Sequence, residues 1–426
     1  MSGRVQGLSG RGLTRRRLLL GGAAAAVAGG TVAAIELSER SGPSRLTPVP
    51  LGAAPAGLPD RQFAWDATLG LDEHGNRIPP RFDRLLFFDV KGVPSTAHAT
   101  VLEAALRSLE RTFSWGPRGL LFTVAWGTSY FTRSLGTDSP VPVARSLSDF
   151  ELPSIDRYDV VLHLAGDDET KLALIERALT RGAAVAGIHE PIDVSRVLTW
   201  RETRTGFVGA GLPAGHQRAG GIPSGSPVPR SAPLFMGFKS SLKRNQASED
   251  SVAIGVGPLA DGTTMAVSYM RLRLDSWYQD LDERQRVALM YAPQVTPEEV
   301  RHITTDPPSD PGKLRAAIRH DGMIGHAQTT AGARRNGRPI ILRRDFDTVD
   351  GGQAGLHFVS LQRTIEDFVR TRTAMNASSA QLHNPAITDT VNNGINSFIF
   401  VLKRGNYLIP PRRSRSFPLP DGRPRV

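Results

Sequence analysis

The sequence predicts an α+β fold in which two duplicated ferredoxin-like halves close on one another as a barrel of the dimeric-α+β-barrel type. Three observations carry this. The stretch from Phe82 to about Ile188 reads as strand, helix, strand, strand, helix, strand, the order of a split βαβ unit. YDVVLHLAGDDETKLALIERAL, from Tyr158, and AGLHFVSLQRTIEDFVRTRTAM, from Ala354, share one pattern: an apolar strand, a polar turn and an amphipathic helix. Between them lies GFVGAGLPAGHQRAGGIPSGSPVPRSAP (Gly206 to Pro233), whose glycines and prolines mark a loop.

Taken in order, Thr14-Arg15-Arg16-Arg17-Leu18-Leu19-Leu20 opens an apolar, Gly/Ala-rich run ending at Ile35. Paired arginines before a moderately hydrophobic stretch are the twin-arginine export pattern. Residues 1–40 are therefore expected to be a signal segment read by the twin-arginine export machinery. The product would be extracellular, in the cell envelope or, with the leader uncleaved, membrane-anchored. Residues 41–79 read as a linker and N-terminal extension, and 80–205 as the first half. FDRLLFFDV (Phe82 to Val90) is a buried strand. Ser95 can cap a helix running to about Phe113, since Val101, Ala105, Leu109 and Phe113 recur every four residues. GLLFTVAWG (Gly119 to Gly127) and YDVVLHLAG (Tyr158 to Gly166) follow as strands. A helix runs from Asp167 to Thr180, its acidic start favoured by the helix dipole. A fourth strand is expected around Ala183 to Ile188.

Beyond the loop at 206–233, the second half spans 234–403. A strand is expected at Thr263 to Leu274, a helix at Asp275 to Tyr291, short strands at Ile340 to Leu342 and Gly355 to Leu361, a helix from Thr364 to about Met375, and a last strand at Ser397 to Leu402. With the sheets facing, the two halves would enclose an interior cavity. Residues 404–426, rich in Pro and Arg, have no periodicity and read as an extended tail.

Composition narrows the function. The net charge of +11 resides at the two ends: Met1 to Leu46 holds seven arginines against two glutamates, and Lys403 to Val426 seven basic residues against one aspartate. The body is thus close to neutral, which argues against nucleic acid, whose partners carry their basic patch on the fold. The absence of cysteine excludes disulfides, zinc–thiolate sites, iron–sulfur clusters, a Cys nucleophile and a thiolate-ligated heme. HExxH and GxSxG are absent, which leaves metalloprotease and serine-hydrolase readings without an anchor.

One segment concentrates the chemistry: HDGMIGHAQTTAGARRNGRPIILRRDFDTVDGGQAGLHFVSLQ, His320 to Gln362. His326 follows Gly325 and precedes Ala327, Gln328, Thr329 and Thr330. Small neighbours of this kind let a porphyrin approach an axial imidazole. A solvated histidine opening a helix has the same local sequence.

From Leu120 to Met375 the chain resembles the dye-decolourising (Dyp-type) heme peroxidases. LLFTVAWGTSYF (Leu120 to Phe131), MGFKSS (Met236 to Ser241), DGTTMAVSYMRLRLDSWYQDLDERQR (Asp261 to Arg286), GHAQ (Gly325 to Gln328), ILRRDF (Ile341 to Phe346) and AGLHFVSLQRTIEDF (Ala354 to Phe368) occur in that family's order. The resemblance implies heme b, with His326 as its axial metal ligand and Phe238 and Phe358 against the cofactor. Arg343, with Arg344 in reserve, would act on the opposite face, stabilising charge on the departing oxygen of hydrogen peroxide. An electron donor of unknown identity would complete the cycle. The sequence departs from the family at its G-F-x-D-G motif: Ser240 and Ser241 follow Lys239 where an aspartate is expected. A serine hydroxyl has no suitable pKa for acid–base work, though Ser240 could order a water. Glu249, Asp250, Asp345 and Asp347 are the carboxylates from which a replacement could come. A heme-binding or heme-handling protein without catalysis, and a cofactor-free surface protein, are the alternatives. Trp126 and Trp277 are candidate electron relays, with core packing as their other use.

Overall fold

A computed structural model of the protein describes residues 46–189, 192–240, 245–300 and 311–423. The expected signal segment at 1–40 lies outside the described residues. Ten strands occur among the described residues: β1 Phe82–Val90, β2 Leu121–Gly127, β3 Ser154–Ile155, β4 Val160–Gly166, β5 Leu198–Phe207, β6 Thr263–Leu272, β7 Leu342–Arg343, β8 Phe346–Thr348, β9 Gly355–Gln362 and β10 Ile399–Ile409. The helices that matter here are α1 Thr96–Thr112, α2 Glu169–Arg181, α3 Leu274–Gln279, α4 Glu283–Met290, α5 Pro311–Asp321, α6 His326–Ala331 and α7 Ile365–Ala374.

The sheet runs β2-β4-β1-β5-β8-β9-β6-β10, and β10 pairs back onto β2, so eight strands close a ring. The first four and the last four have the same order. In each quartet the second strand is at one edge, then the third, then the first, and the fourth is at the far edge. The duplication read from two sequence patterns is thus a duplication of topology. The seams joining the quartets are thin. β5 meets β8 through the single pair Phe207↔Asp347, and β10 meets β2 through Tyr407↔Gly127 and Leu408↔Trp126.

The long apolar runs are explained by burial on both faces. In β1, Leu86 and Phe88 face a core built with α1 and α2. Leu85 and Phe87 face the barrel interior, beside Val161, Val267, Phe346, Val359 and Tyr407. The interior is therefore packed, which corrects the expected interior cavity. Each such aliphatic or aromatic side chain contributes about 1.5–3 kcal/mol on leaving water. Asp168 caps α2, and Gly182, in the left-handed region, ends it.

The fourth strand of the first half is not at Ala183 to Ile188 but at Leu198–Phe207. The sequence LTWRETRTGF hides it, because its interior-facing Glu202 and Arg204 are charged: Arg204 forms a bidentate pair with Asp156 at 2.7 and 2.8 Å. The helix expected from Asp275 to Tyr291 is two, since Asp282 adopts an extended conformation and makes a capping box with Gln285. The tail also differs from expectation. Gly405 to Ile409 extend β10, and beyond them Arg412 and Arg415 bind Glu110 and Glu103 of α1. Phe417 is buried 4.9 Å from the Trp126 ring. These pairs span some three hundred residues, out of reach of local periodicity.

Candidate functional site

The cavity lies on the outer face of the second quartet. β6 turns Val267 inward and Ser268, Met270 and Leu272 outward; β9 turns Val359 inward and Leu356 and Phe358 outward. The outward side chains floor a cavity open to solvent at its mouth. His326, Ala327 and Thr330 of α6 and Phe368, Thr371 and Arg372 of α7 roof it. Its lining is mostly apolar, with Met236, Met290, Ile340, Ile341 and Ile399 among the contacts.

His326 is held by its backbone. Gly325 lies against the Tyr291 carbonyl, where a Cβ would come within 2.2 Å of the oxygen, and its N–H donates to Gln328 Oε1 at 2.9 Å. On the other side Gly394, at φ +51°, approaches so closely that a Cβ would stand 2.9 Å from both N and Cα of His326. The imidazole keeps slight exposure toward the cavity, but its Nδ1 is shielded and without a hydrogen-bond partner. Desolvation, with the positive charges of Arg343 and Arg372 adding to it, pushes the imidazole down to about 3. It is neutral across the physiological range, the form that ligates a metal.

Strand alternation separates the two arginines. Arg343 lines the cavity with Ser360 as its partner on β9. Gln246 Oε1 accepts from its backbone N–H at 2.8 Å, and its guanidinium donates to the Ser240 carbonyl. Ser240 lines the cavity too, holding the arginine by its backbone. Arg344 is turned away: its guanidinium stacks 3.9 Å from the Trp65 ring and donates to Glu249 at 2.9 Å. It is not among the cavity-lining residues. The same alternation puts Asp345 and Asp347 on the Arg343 side, and Phe346 in the barrel interior. The Oδ1 atoms of both aspartates are buried without partners. Asp347 Oδ2 accepts the Phe235 N–H at 2.5 Å. Burial raises Asp347 well above the usual carboxylate range, and the Asp345 charge raises it further. Of the four carboxylates named from the sequence, Asp345 and Asp347 reach the cavity. Glu249 is held by Arg344, and Asp250 by Arg61 near the surface. The signal was present as Arg-x-Asp-x-Asp, a period of two that puts all three side chains on one face.

Phe238 and Phe358 both line the cavity. Phe238 packs edge-on to Tyr291, with Trp277 buried behind it, while Trp126 lies in the first-half core beside Tyr130. Glu151 pairs with Arg372 and Arg404 at the wall.

The donor set suits one kind of metal group. Among the described residues no three His, Cys, Asp or Glu side chains converge as an ion site. A lone neutral imidazole over an apolar chamber matches a metal that brings its own equatorial ligands, as heme does. The partnerless Nδ1 differs from the usual ligating histidine, whose second nitrogen donates to an acceptor.

Solved structures share this architecture. A putative Dyp-type peroxidase from Shewanella oneidensis is 16% identical, with TM-score 0.54 over 79% of this chain and 94% of its own. A DyP-type peroxidase from Cellulomonas bogoriensis is 19% identical, with TM-score 0.53 over 82% and 96%. A DypB variant from Rhodococcus jostii RHA1 in complex with heme is 11% identical, with TM-score 0.53 over 82% and 96%. At these identities the likeness is one of fold, and the fold is that of the Dyp-type peroxidases. No curated protein matches the sequence. A family described only as of unknown function, DUF7405, matches residues 80–411, the whole of the barrel and the cavity on its second half. The chain belongs to that family.

Proposed function

We propose that the protein binds heme b in the cavity, with His326 as axial ligand and Phe238 and Phe358 against the ring, and reduces hydrogen peroxide there at the expense of an unidentified organic electron donor. The observation that carries this reading is the convergence of a neutral, half-buried imidazole, a guanidinium and two carboxyl groups on one apolar chamber. Heme, when bound, supplies the iron and the two electrons that peroxide takes up. The protein's own residues do the rest. His326 is kept unprotonated and fixed between two glycines. Arg343, tethered to Ser240 and Gln246, directs a permanent positive charge into a space of low dielectric, where it stabilises negative charge on the departing oxygen. The apolar walls exclude water, which strengthens that interaction. Arg344 takes no part in this reading, because Glu249 and Trp65 occupy it.

The twin-arginine pattern at Arg15-Arg16 supports export of the folded protein to the envelope or beyond, with an uncleaved leader as the route to membrane attachment. Purified protein titrated with heme is expected to develop a Soret band that shifts in His326→Ala. A chain that gives no such band, or a variant spectrum identical to wild type, sinks the ligand assignment. Heme binding without peroxide turnover would favour the heme-handling alternative.

A further inference from the structure

We propose that Asp345 and Asp347 form the proton-handling pair of this cavity and do the work of the aspartate missing after Lys239. This rests on the heme-peroxidase reading above. Among the described residues lining the cavity, these two are the only carboxylates. Asp345 is 8% exposed and Asp347 fully buried, and each keeps an Oδ1 with no partner. A buried carboxyl oxygen left unsatisfied is costly, so two on one face of the segment running from β7 into β8 call for an occupant that hydrogen-bonds them. Positions i and i+2 on a strand lie about 6.5 Å apart along one face. Arg343 stands about 6.5 Å before Asp345 and about 13 Å before Asp347, and all three line the cavity.

The groups that face Asp347 are Asp345, the Tyr278 phenol and the Phe235 N–H. The phenol is itself pushed up by burial and donates its proton to the Phe235 carbonyl at 2.6 Å. It therefore supplies neither base nor free acid. Burial, with the Asp345 charge adding to it, favours the carboxylic-acid form of Asp347, and the proposed pair carries one proton between two sites. Such a pair can give and take a proton in one event. Asp347 would give its proton to the oxygen of hydrogen peroxide that departs, which leaves as water, while the Asp345 carboxylate would take the proton of the oxygen that stays as the O–O bond breaks. Heme, when bound, would supply the two electrons. The organic electron donor would return them together with two protons, releasing the second oxygen as water, and the proton held by Asp345 would pass back to Asp347.

The test uses the full chain reconstituted with heme, comparing wild type with Asp347→Asn and Asp345→Asn. Both variants are expected to keep the wild-type Soret band. Spectral change on mixing with hydrogen peroxide should slow at least about 100-fold in Asp347→Asn, the lower range for loss of general acid–base catalysis. A variant reacting within twofold of wild type overturns the proposal while leaving the heme reading intact. A wild type without a Soret band removes the heme reading and this assignment with it. Infrared spectra of the heme-free protein at pH 7 give an independent measure. The carbonyl stretch of a protonated carboxylic acid should be present in wild type and absent from Asp347→Asn; its absence from wild type overturns the pair. Should Asp347→Asn not fold, Asp345→Asn and the wild-type infrared band decide the matter in the same way.

Discussion

Gly394→Ala is the sharpest test of how His326 is held. The substitution carries two separable costs. Gly394 sits at φ +51°, where an L-residue with a Cβ costs about 1–2 kcal/mol. The added methyl would stand 2.9 Å from N and Cα of His326, backbone atoms that cannot swing aside. Relieving such an overlap costs about 1–3 kcal/mol. The expected destabilisation is the sum, about 2–5 kcal/mol. Gly351 is the control. It has φ +66° and nothing within 4 Å of a Cβ, so Gly351→Ala should show the conformational cost alone. Urea unfolding of wild type and both variants measures the difference. Because the methyl pushes on the first residue of α6, Gly394→Ala should also weaken heme binding, and Gly351→Ala should not. Equal destabilisation by the two substitutions, with heme affinity unchanged, would refute the idea that His326 is clamped by close backbone approach.

The paired arginines should separate cleanly. Arg343→Leu is expected to retain heme yet slow the reaction with peroxide by about 100-fold, the scale of losing one oxyanion donor, as read by stopped-flow absorbance. Arg344→Leu leaves the half-buried Glu249 without its cation, though the Trp65 and Asp66 N–H groups still donate to it, and should cost about 1.5–3 kcal/mol of stability in denaturant titration, with little effect on peroxide chemistry in the folded fraction. Glu202 gives a pH test. Its bonds to Arg204, Lys403 and Tyr158 outweigh desolvation and hold it down at about 2, from an ordinary 4.5. The unfolded chain takes up its proton first, so this stability is present above pH 4.5 and is lost as pH falls toward 2. Between pH 5 and pH 3 wild type should lose about 2 kcal/mol relative to Glu202→Gln; parallel stability curves would contradict the assignment.

Much of this was legible in the sequence because the two quartets advertise themselves locally. FDRLLFFDV, YDVVLHLAG and GLHFVSL are apolar over their whole length, and Asp168 and Ser95 announce helices where they cap them. The strand LTWRETRTGF escaped because its inward face is stabilised by charges whose partners, Asp156 and Lys403, arrive from elsewhere in the chain. The cavity's position escaped for a related reason. A strand buried on both sides does not declare which face is the barrel interior, so Phe358 and Val359 look alike in sequence while one lines the cavity and the other fills the barrel. At the site, His326 was set apart by its small neighbours. The choice between Arg343 and Arg344, and the arrival of Asp345 and Asp347, followed only once the pairing Arg343↔Ser360 fixed which way each side chain turns.

The ring closure has a consequence for biosynthesis. β10 is the last of the ten strands in chain order, yet it pairs with β6 over ten residue pairs, touches β2 and receives β3. A ribosome has released the first quartet and most of the second before this strand emerges. Until then β6 has an open edge, and the cavity lacks the wall that Ile399 and Arg404 supply. Folding of the first quartet can run ahead during synthesis, whereas the second must wait for a contact made late and at long range, the slow kind. Any cofactor held by the complete cavity is therefore held only once β10 has emerged and paired with β6.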